Sequence, residues 1–113
     1  MKSAMRIPTD AIIAPEKLSG YLLAWRARND KSAFLARLGF APDRPDLLEA
    51  AIREHIQRHD AVRDEVSVYG EVFVVDGELV GPIAASPIRS VWIRRSRETV
   101  VRFVTLKPRA EMS

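Results

Sequence analysis

The chain has 113 residues, of which 18 are Lys or Arg, 15 are Asp or Glu and none is cysteine. This length allows a single domain with one core and excludes a two-domain enzyme. The lack of cysteine excludes a disulfide scaffold, an iron–sulfur cluster, a thiolate zinc site and a cysteine nucleophile. No apolar run reaches the ~18 residues of a membrane span, and no signal peptide is recognisable, so we expect a cytoplasmic protein that does not engage a membrane.

The formal net charge of +3 conceals two segments of opposite charge. Residues 61–86 contain one basic and five acidic residues, whereas residues 87–109 contain seven basic residues and a single acid, Glu98. Such an arrangement permits ion pairs between neighbouring strands, which would leave an ordinary solvated surface. It also permits a basic surface that binds phosphate groups. The sequence leaves both interpretations open.

The first half of the chain predicts an extended N-terminal segment followed by two or three helices. Apolar residues recur at helical spacing in three stretches, which begin near Pro15, Asp30 and Asp43. Gly39 is suited to end the second helix, and the third is predicted to run to about His59. The expected apolar faces comprise Leu18, Tyr21, Leu22 and Trp25 in the first helix, Phe34, Leu35 and Leu38 in the second, and Leu47, Leu48, Ala51, Ile52, His55 and Ile56 in the third.

The second half of the chain changes to the two-residue period of β-strands. A turn or a β-bulge is predicted at Tyr69-Gly70, and Asp76-Gly77 predicts a tight hairpin because Asp-Gly readily adopts the positive φ angles of two-residue turns. Two longer strands are predicted over 88–94 and 100–106. The fold class is therefore α+β: the extended N-terminal segment and the helices pack on one face of a four-stranded antiparallel sheet, in a single domain with an ordered core of about residues 7–108. The other face of the sheet is expected to be open.

Strict alternation assigns the side chains of the last two strands to opposite faces of the sheet. It places Arg89 on one side of its strand and Trp92 and Arg94 on the other. In the final strand it separates Thr105 from Arg102. Because both strands are apolar on both faces, their few polar residues are candidates for a functional role. The alternative is that each arginine packs its stem and extends its head into water.

Five short motifs follow one another along the chain: Lys17-Leu18-x-x-Tyr21-Leu22-Leu23, Lys31-x-Ala33-Phe34-x-x-x-Leu38-Gly39-Phe40, Tyr69-Gly70 with Val74-Val75-Asp76-Gly77, Arg89-Ser90-Val91-Trp92-Ile93, and Arg102-Phe103-Val104-Thr105-x-x-Pro108. In this order they resemble an uncharacterised bacterial domain family that occurs free-standing and as the C-terminal module of toxin-like proteins. The resemblance spans roughly Ile7 to Pro108. The order of elements also resembles the RelE and barnase-like group of metal-independent ribonuclease toxins, whose sheet forms the active surface.

This resemblance implies a toxin-like domain that acts on RNA through a basic sheet face. The catalytic positions that it implies are Lys31, Arg89, Arg102 and Thr105. Arginine suits a phosphate because its guanidinium donates two hydrogen bonds in a fixed geometry. Further contacts to nucleic acid are expected from the other cations of the basic segment, which are Arg94, Arg95, Arg97 and Lys107.

A non-catalytic interaction module is the alternative, either an immunity or adaptor protein or a nucleic-acid binder. It is favoured by departures from the family pattern at Trp25, Arg28, Pro82-Ile83-Ala84 and Lys107, and by the lack of a recognisable acid–base pair. A cognate immunity or partner protein is therefore a second candidate partner beside RNA, and an exposed sheet edge would also permit a homodimer.

Neither a cofactor nor a metal is expected. His55 and His59 have the four-residue spacing at which two imidazoles can share a metal ion, but no third ligand is evident. His55 lies on the apolar stripe of its helix, so a packing role is favoured for it. Trp25 and Trp92 could stack nucleobases, although core positions are favoured for both.

Overall fold

The structure is a computed structural model that describes residues 5–22 and 31–109, so the predictions for Trp25, Arg28 and Asp30 lie outside the described residues. Three helices precede a four-stranded antiparallel sheet, which confirms the α+β class. No helix in the described part of the chain is long and apolar enough to cross a membrane. The elements are α1 (Pro15–Lys17), a π-helical turn (Leu18–Leu22), α2 (Lys31–Leu38), α3 (Pro45–Arg58), β1 (Ala61–Ser67), β2 (Gly70–Val80), β3 (Ala85–Arg95) and β4 (Arg102–Pro108).

The described side chains of the predicted apolar faces form the core beneath one face of the sheet. Helix α3 begins with Pro45 in its first turn, and its cap is Arg44 rather than Asp43, without a side-chain hydrogen bond to the helix. The helical core residues pack together with Trp92 and Phe103, whose rings meet edge to face with 5.2 Å between their centres. The helical residues of this core are Leu18, Leu22, Leu35, Leu38, Leu48, Ile52 and Ile56.

Gly39 ends α2 in the way that the sequence predicts. Its φ of 103° lies in the region that favours glycine, and the amide of Phe40 donates back to the carbonyl of Leu35 over 3.1 Å. The β2–β3 turn completes this end of the helix, because the amide of Ile83 donates to the carbonyl of Leu38 over 2.9 Å. A helix terminus and a hairpin turn thus satisfy each other's backbone groups.

Gly39→Ala is expected to lower the free energy of unfolding by about 1–2 kcal/mol, because alanine is strained at positive φ. Its Cβ would also lie 2.9 Å from the backbone nitrogen of Ile83 and from Cγ1 of the same residue. Denaturant unfolding measures the loss. Adding Ile83→Ala relieves only the side-chain contact, so most of the loss should persist in the double variant. Full stability of Gly39→Ala would contradict this account of the helix end.

The sheet order is β1-β2-β3-β4, and the predicted hairpin at Asp76-Gly77 is wrong. Strand β2 continues through both residues, with Asp76 opposite Arg89, and the chain reverses at residues 81–84 instead. Glycine is required at position 77 for a different reason: a Cβ there would collide with the ring of His59, at the end of α3. Glycine thus marks a close approach of helix and strand rather than a turn.

Strict alternation also fails in β4. Trp92 lies opposite Phe103 and Val91 opposite Thr105, so Val104 is an extra residue in the strand. Such a β-bulge changes the face on which the following side chains lie. Thr105 therefore shares a face with Val91 and Arg102, whereas the prediction separated it from Arg102.

The segment that precedes α1 links both outer strands of the sheet. The amide of Ala61, at the start of β1, donates to the carbonyl of Met5 over 2.7 Å. At the other side of the sheet, Ile12 forms a parallel bridge with Arg102 in β4. Between these points Ile7 and Ala11 are buried in the core. The predicted extended N-terminal segment is thus built into the core from β1 to β4.

Candidate functional site

The open face is defined as the sheet face opposite the helices. Pairing across β3 and β4 places most of the predicted site residues on it, because directly opposed residues share a face. Arg89 lies opposite Lys107, and Arg102 lies opposite Ile93. Trp92 alternates with these residues, so it lies on the helical side, where it is fully buried. The open face includes Val72, Val74 and Asp76 of β2, Arg89, Val91, Ile93 and Arg95 of β3, and Arg102, Thr105 and Lys107 of β4.

A cationic groove of about 360 Å³ lies where the open face meets the N-terminal segment. Its cations come from separate parts of the chain: Lys17 from α1, Arg95 from the end of β3 and Arg102 from the start of β4. No carboxylate side chain is found among the described residues that line it. The remaining lining residues are Ile12, Ala14, Ile93, Phe103 and Val104. A groove lined by both cationic and apolar residues suits a ligand that combines anionic and flat apolar groups.

The side chain of Arg102 is partly buried, but most of the hydrogen-bond donors of its guanidinium remain available to a ligand. Its side chain is 37% exposed, and its Nε contacts Glu98 Oε1 at 3.3 Å. This is a long, single contact to one nitrogen of the guanidinium, in contrast to a bidentate pair. Arg102 can therefore accept an anionic ligand in the groove while Glu98 keeps the side chain oriented.

The structure brings Lys31 and Thr105 into direct contact. Lys31 Nζ, at the start of α2, donates to Thr105 Oγ1 over 2.8 Å, and the same hydroxyl donates to the carbonyl of Leu106 over 3.3 Å. The two residues are 74 positions apart, and the bulge at Val104 places the hydroxyl on the same face as Arg102. An ammonium group and an oriented hydroxyl therefore lie on the open face together with the guanidinium of Arg102.

Arg89 is on the open face but is committed to Asp76. Its Nε and Nη2 donate to the two carboxylate oxygens over 2.7 and 2.9 Å, and Arg109 adds a contact of 3.4 Å. The hydrogen bond from Arg89 lowers the pKa of Asp76 below its ordinary value, and the same bond raises the pKa of Arg89. This pair is one of the cross-strand ion pairs that the charge pattern permits. Asp76 therefore neutralises the charge of Arg89 more fully than Glu98 neutralises that of Arg102.

The other predicted nucleic-acid contacts fall in different places. Arg95 and Lys107 are exposed on the open face, and Arg97 is exposed in the β3–β4 turn with a φ of 70°. Arg94 lies on the helical side of the sheet, where it forms an ion pair with Glu71. That carboxylate also accepts from Arg63 Nη1 over 2.9 Å. Arg94 therefore does not join the cations of the open face.

His55 belongs to a buried hydrogen-bonded chain and not to a metal site. Trp92 Nε1 donates to Ser90 Oγ over 2.9 Å, and Ser90 Oγ lies 2.9 Å from His55 Nε2. His55 Nδ1 lies 3.2 Å from the carbonyl of Glu78, which can only accept, so Nδ1 carries the hydrogen and Nε2 accepts from Ser90. Burial lowers the pKa of His55 to about 4. Within residues 5–22 and 31–109, no group of three or more His, Cys, Asp or Glu side chains could hold a metal ion.

Two members of this site were absent from the sequence-based set. Lys17 was part of a family motif, but nothing in the sequence places α1 beside β4. Glu98 was visible as the only acid of the basic segment, and its spacing of four residues from Arg102 is a signal for an ion pair only within a helix. In the structure the two residues meet because the chain turns back into β4 just after Glu98.

Comparison with known proteins gives one match. A family model described as a domain of unknown function, DUF6883, matches residues 8–110. The match includes all four strands, the three helices and every residue of the cationic groove. No curated protein and no solved structure matches the chain at a significant level.

Proposed function

The chain belongs to the DUF6883 family of domains of unknown function, and we propose that it is a toxin-like domain that acts on RNA through the open face without a metal ion. The observation that carries the proposal is the cationic groove. Lys17, Arg95 and Arg102, from three separate elements, line this groove together with the apolar residues Ile93 and Val104. Phosphate groups supply the anionic part of such a ligand, and nucleobases and riboses supply the less polar part.

The proposed reaction is the transfer of the phosphoryl group from the 5′-oxygen of one RNA nucleotide to the 2′-oxygen of the preceding nucleotide. The 2′-oxygen loses its proton and attacks phosphorus, the bond to the 5′-oxygen breaks, and that oxygen takes up a proton. A 2′,3′-cyclic phosphate and a free 5′-hydroxyl result. Atoms and charge balance without a metal, an oxidant or a cofactor. The protein must stabilise the additional negative charge on the phosphoryl oxygens and move two protons.

The residues of the open face suit these tasks in different ways. Arg102, assisted by Arg95, is proposed to bind the phosphoryl oxygens. Lys31, which donates to Thr105 in the structure, is proposed to supply the proton to the departing 5′-oxygen. Glu98 contacts Arg102 at 3.3 Å and is the carboxylate proposed to take the 2′-proton. A cytoplasmic location is part of the proposal because the substrate is cellular RNA.

The fold order supports the same proposal by analogy. Helices that precede a four-stranded antiparallel sheet with a basic face resemble the RelE and barnase-like toxins, and the family resemblance includes C-terminal modules of toxin-like proteins. Fold similarity does not determine activity, so the groove and not the fold is the basis of the proposal.

Incubation of the pure protein with RNA in the presence of EDTA is the direct test. We expect cleavage that EDTA does not reduce and products that end in a 2′,3′-cyclic phosphate, identified by mass spectrometry. A DNA strand of the same sequence is the matched control, because it presents the same phosphates without the 2′-hydroxyl and should remain intact. RNA that stays uncut with the wild-type protein would overturn the nuclease proposal.

Binding of nucleic acid without cleavage is the second candidate. It is favoured by the state of Asp76, because the hydrogen bond from Arg89 lowers the pKa of that carboxyl and makes it a weak base. This candidate predicts affinity for RNA that falls steeply with salt, together with no product. Lack of binding to either nucleic acid would favour a protein partner, such as a cognate immunity protein.

A further inference from the structure

We propose that Tyr69, in the turn next to Arg95 of the cationic groove, is a stacking platform for one unpaired base of the RNA strand. This inference rests on the proposed function and narrows the ligand to single-stranded RNA. Tyr69 lies in the β1–β2 turn and is 79% exposed to solvent. An aromatic residue that is largely exposed offers a surface on which a nucleobase can stack.

The backbone around Tyr69 is fixed by hydrogen bonds even though its ring is exposed. The amide of Tyr69 donates to Ser67 Oγ over 3.1 Å, and its carbonyl accepts from the amide of Ser96 over 2.9 Å. The hydroxyl of Ser96 donates to the carbonyl of Val68 in the same turn. The turn therefore holds Tyr69 in a defined position, which reduces the conformational entropy lost when a ligand binds.

The position of the turn connects the ring with the phosphate-binding cations. Gly70, which follows Tyr69, is the register partner of Arg95, and Arg95 lines the cationic groove. Ser96, which holds the turn, is flanked in sequence by Arg95 and by the exposed Arg97. A strand whose phosphates lie on Arg95 and Arg102 can thus place a neighbouring base at Tyr69.

The choice of a single strand follows from the aromatic residues and from base geometry. Trp92, Phe73 and Phe103 are buried in the core, as is Phe40, and Phe34 packs against it. Among the Phe, Tyr and Trp side chains whose surroundings the structure describes, Tyr69 is the one that is mostly exposed. Both faces of a base inside a duplex are covered by its neighbours, so only an unpaired base can stack on this ring.

The test compares two short single-stranded probes of equal length, oligouridine RNA and a ribose-phosphate strand that carries no bases. Tyr69→Ala is expected to weaken binding of oligouridine by about tenfold and to leave the baseless strand unaffected, because base stacking on an aromatic side chain contributes measurably to affinity. Tyr69→Phe should bind like the wild type, since it keeps the ring. Fluorescence polarisation measures all affinities.

Ile83→Ala is the matched control. Ile83 is 78% exposed in the β2–β3 turn, at the opposite end of the strands, so it removes a similar exposed apolar side chain away from the groove. Unchanged oligouridine affinity of Tyr69→Ala, or an equal loss with both probes, would overturn the stacking role while RNA binding by the wild type would still support the proposed function. A wild type that binds neither probe would overturn both proposals.

Discussion

Replacing Arg102 by alanine is expected to lower the rate of RNA cleavage by about 10²–10³-fold, the usual consequence of removing a group that stabilises transition-state charge. RNA affinity should also fall, by about 1.5–3 kcal/mol for a charge-assisted hydrogen bond to phosphate. The dependence of log affinity on log salt should become shallower by about 0.7 for one lost contact to a single strand. Circular dichroism and thermal unfolding check that the variant remains folded.

Arg89→Ala is the matched control for this prediction. Both variants remove one positive charge from the open face, so a loss that reflects only overall charge would be the same in each. Arg89, however, is already bound to both oxygens of Asp76, whereas Arg102 has a single long contact to Glu98. The structure therefore predicts a distinctly smaller loss for Arg89→Ala, and equal losses would contradict the assignment of the groove.

Acidification from pH 7 to pH 4 is expected to remove about 3 kcal/mol of stability through His55 alone. The imidazole has a pKa of about 4 in the folded protein and about 6.5 when exposed. Between these values the unfolded chain binds the proton and the folded chain does not, so the free energy of unfolding decreases as the pH falls through this window. Denaturant unfolding at a series of pH values between 4 and 7 measures the effect.

His55→Gln should flatten this part of the stability profile, because glutamine does not titrate and its carbonyl can still accept from Ser90. His59→Gln is the control and should retain most of the slope, since burial, the largest cause of the lowered pKa of His55, remains. Asp76 contributes little to the change between pH 7 and pH 4. The hydrogen bond from Arg89 lowers its pKa, so the stability that it contributes is lost mainly below pH 4. A steep profile in His55→Gln would contradict the assignment to His55.

Local sequence signals predicted the second and third helices well, whereas the first predicted helix is a three-residue α-helix followed by a π-helical turn. The periodicity of Leu35 and Leu38 and the position of Gly39 define α2 without reference to the rest of the chain, and the third helix was predicted nearly to its ends. Asp76-Gly77 was wrongly predicted to form a turn, because glycine can meet two different needs. One is a turn with positive φ, and the other is a position with no room for a Cβ. The second need arises from the ring of His59, 18 residues earlier, and is invisible to local pattern.

The candidate site was predictable in composition but not in arrangement. The basic segment identified Arg95 and Arg102, and both are found in the groove. The grouping of Lys31 with Thr105 was implied only by resemblance, because their contact depends on how α2 packs beside β4. Strict alternation assigned Thr105 to the wrong face of the sheet, since the extra residue Val104 moves the side chains that follow it in β4 to the opposite face. Neither effect has a signature within a short window of sequence.

The segment from Met5 to Ile12 has a consequence for the order of folding during synthesis. The carbonyl of Met5 accepts a hydrogen bond from the amide of Ala61, and the backbone of Ile12 is hydrogen-bonded to residues 101 and 103 at the start of β4. Met5 can therefore complete its hydrogen bond once the start of β1 has emerged from the ribosome, whereas Ile12 can do so only after the last strand has emerged. Such long sequence separation slows folding. The helices can form earlier, but closure of the domain is the final event and has to follow translation of β4.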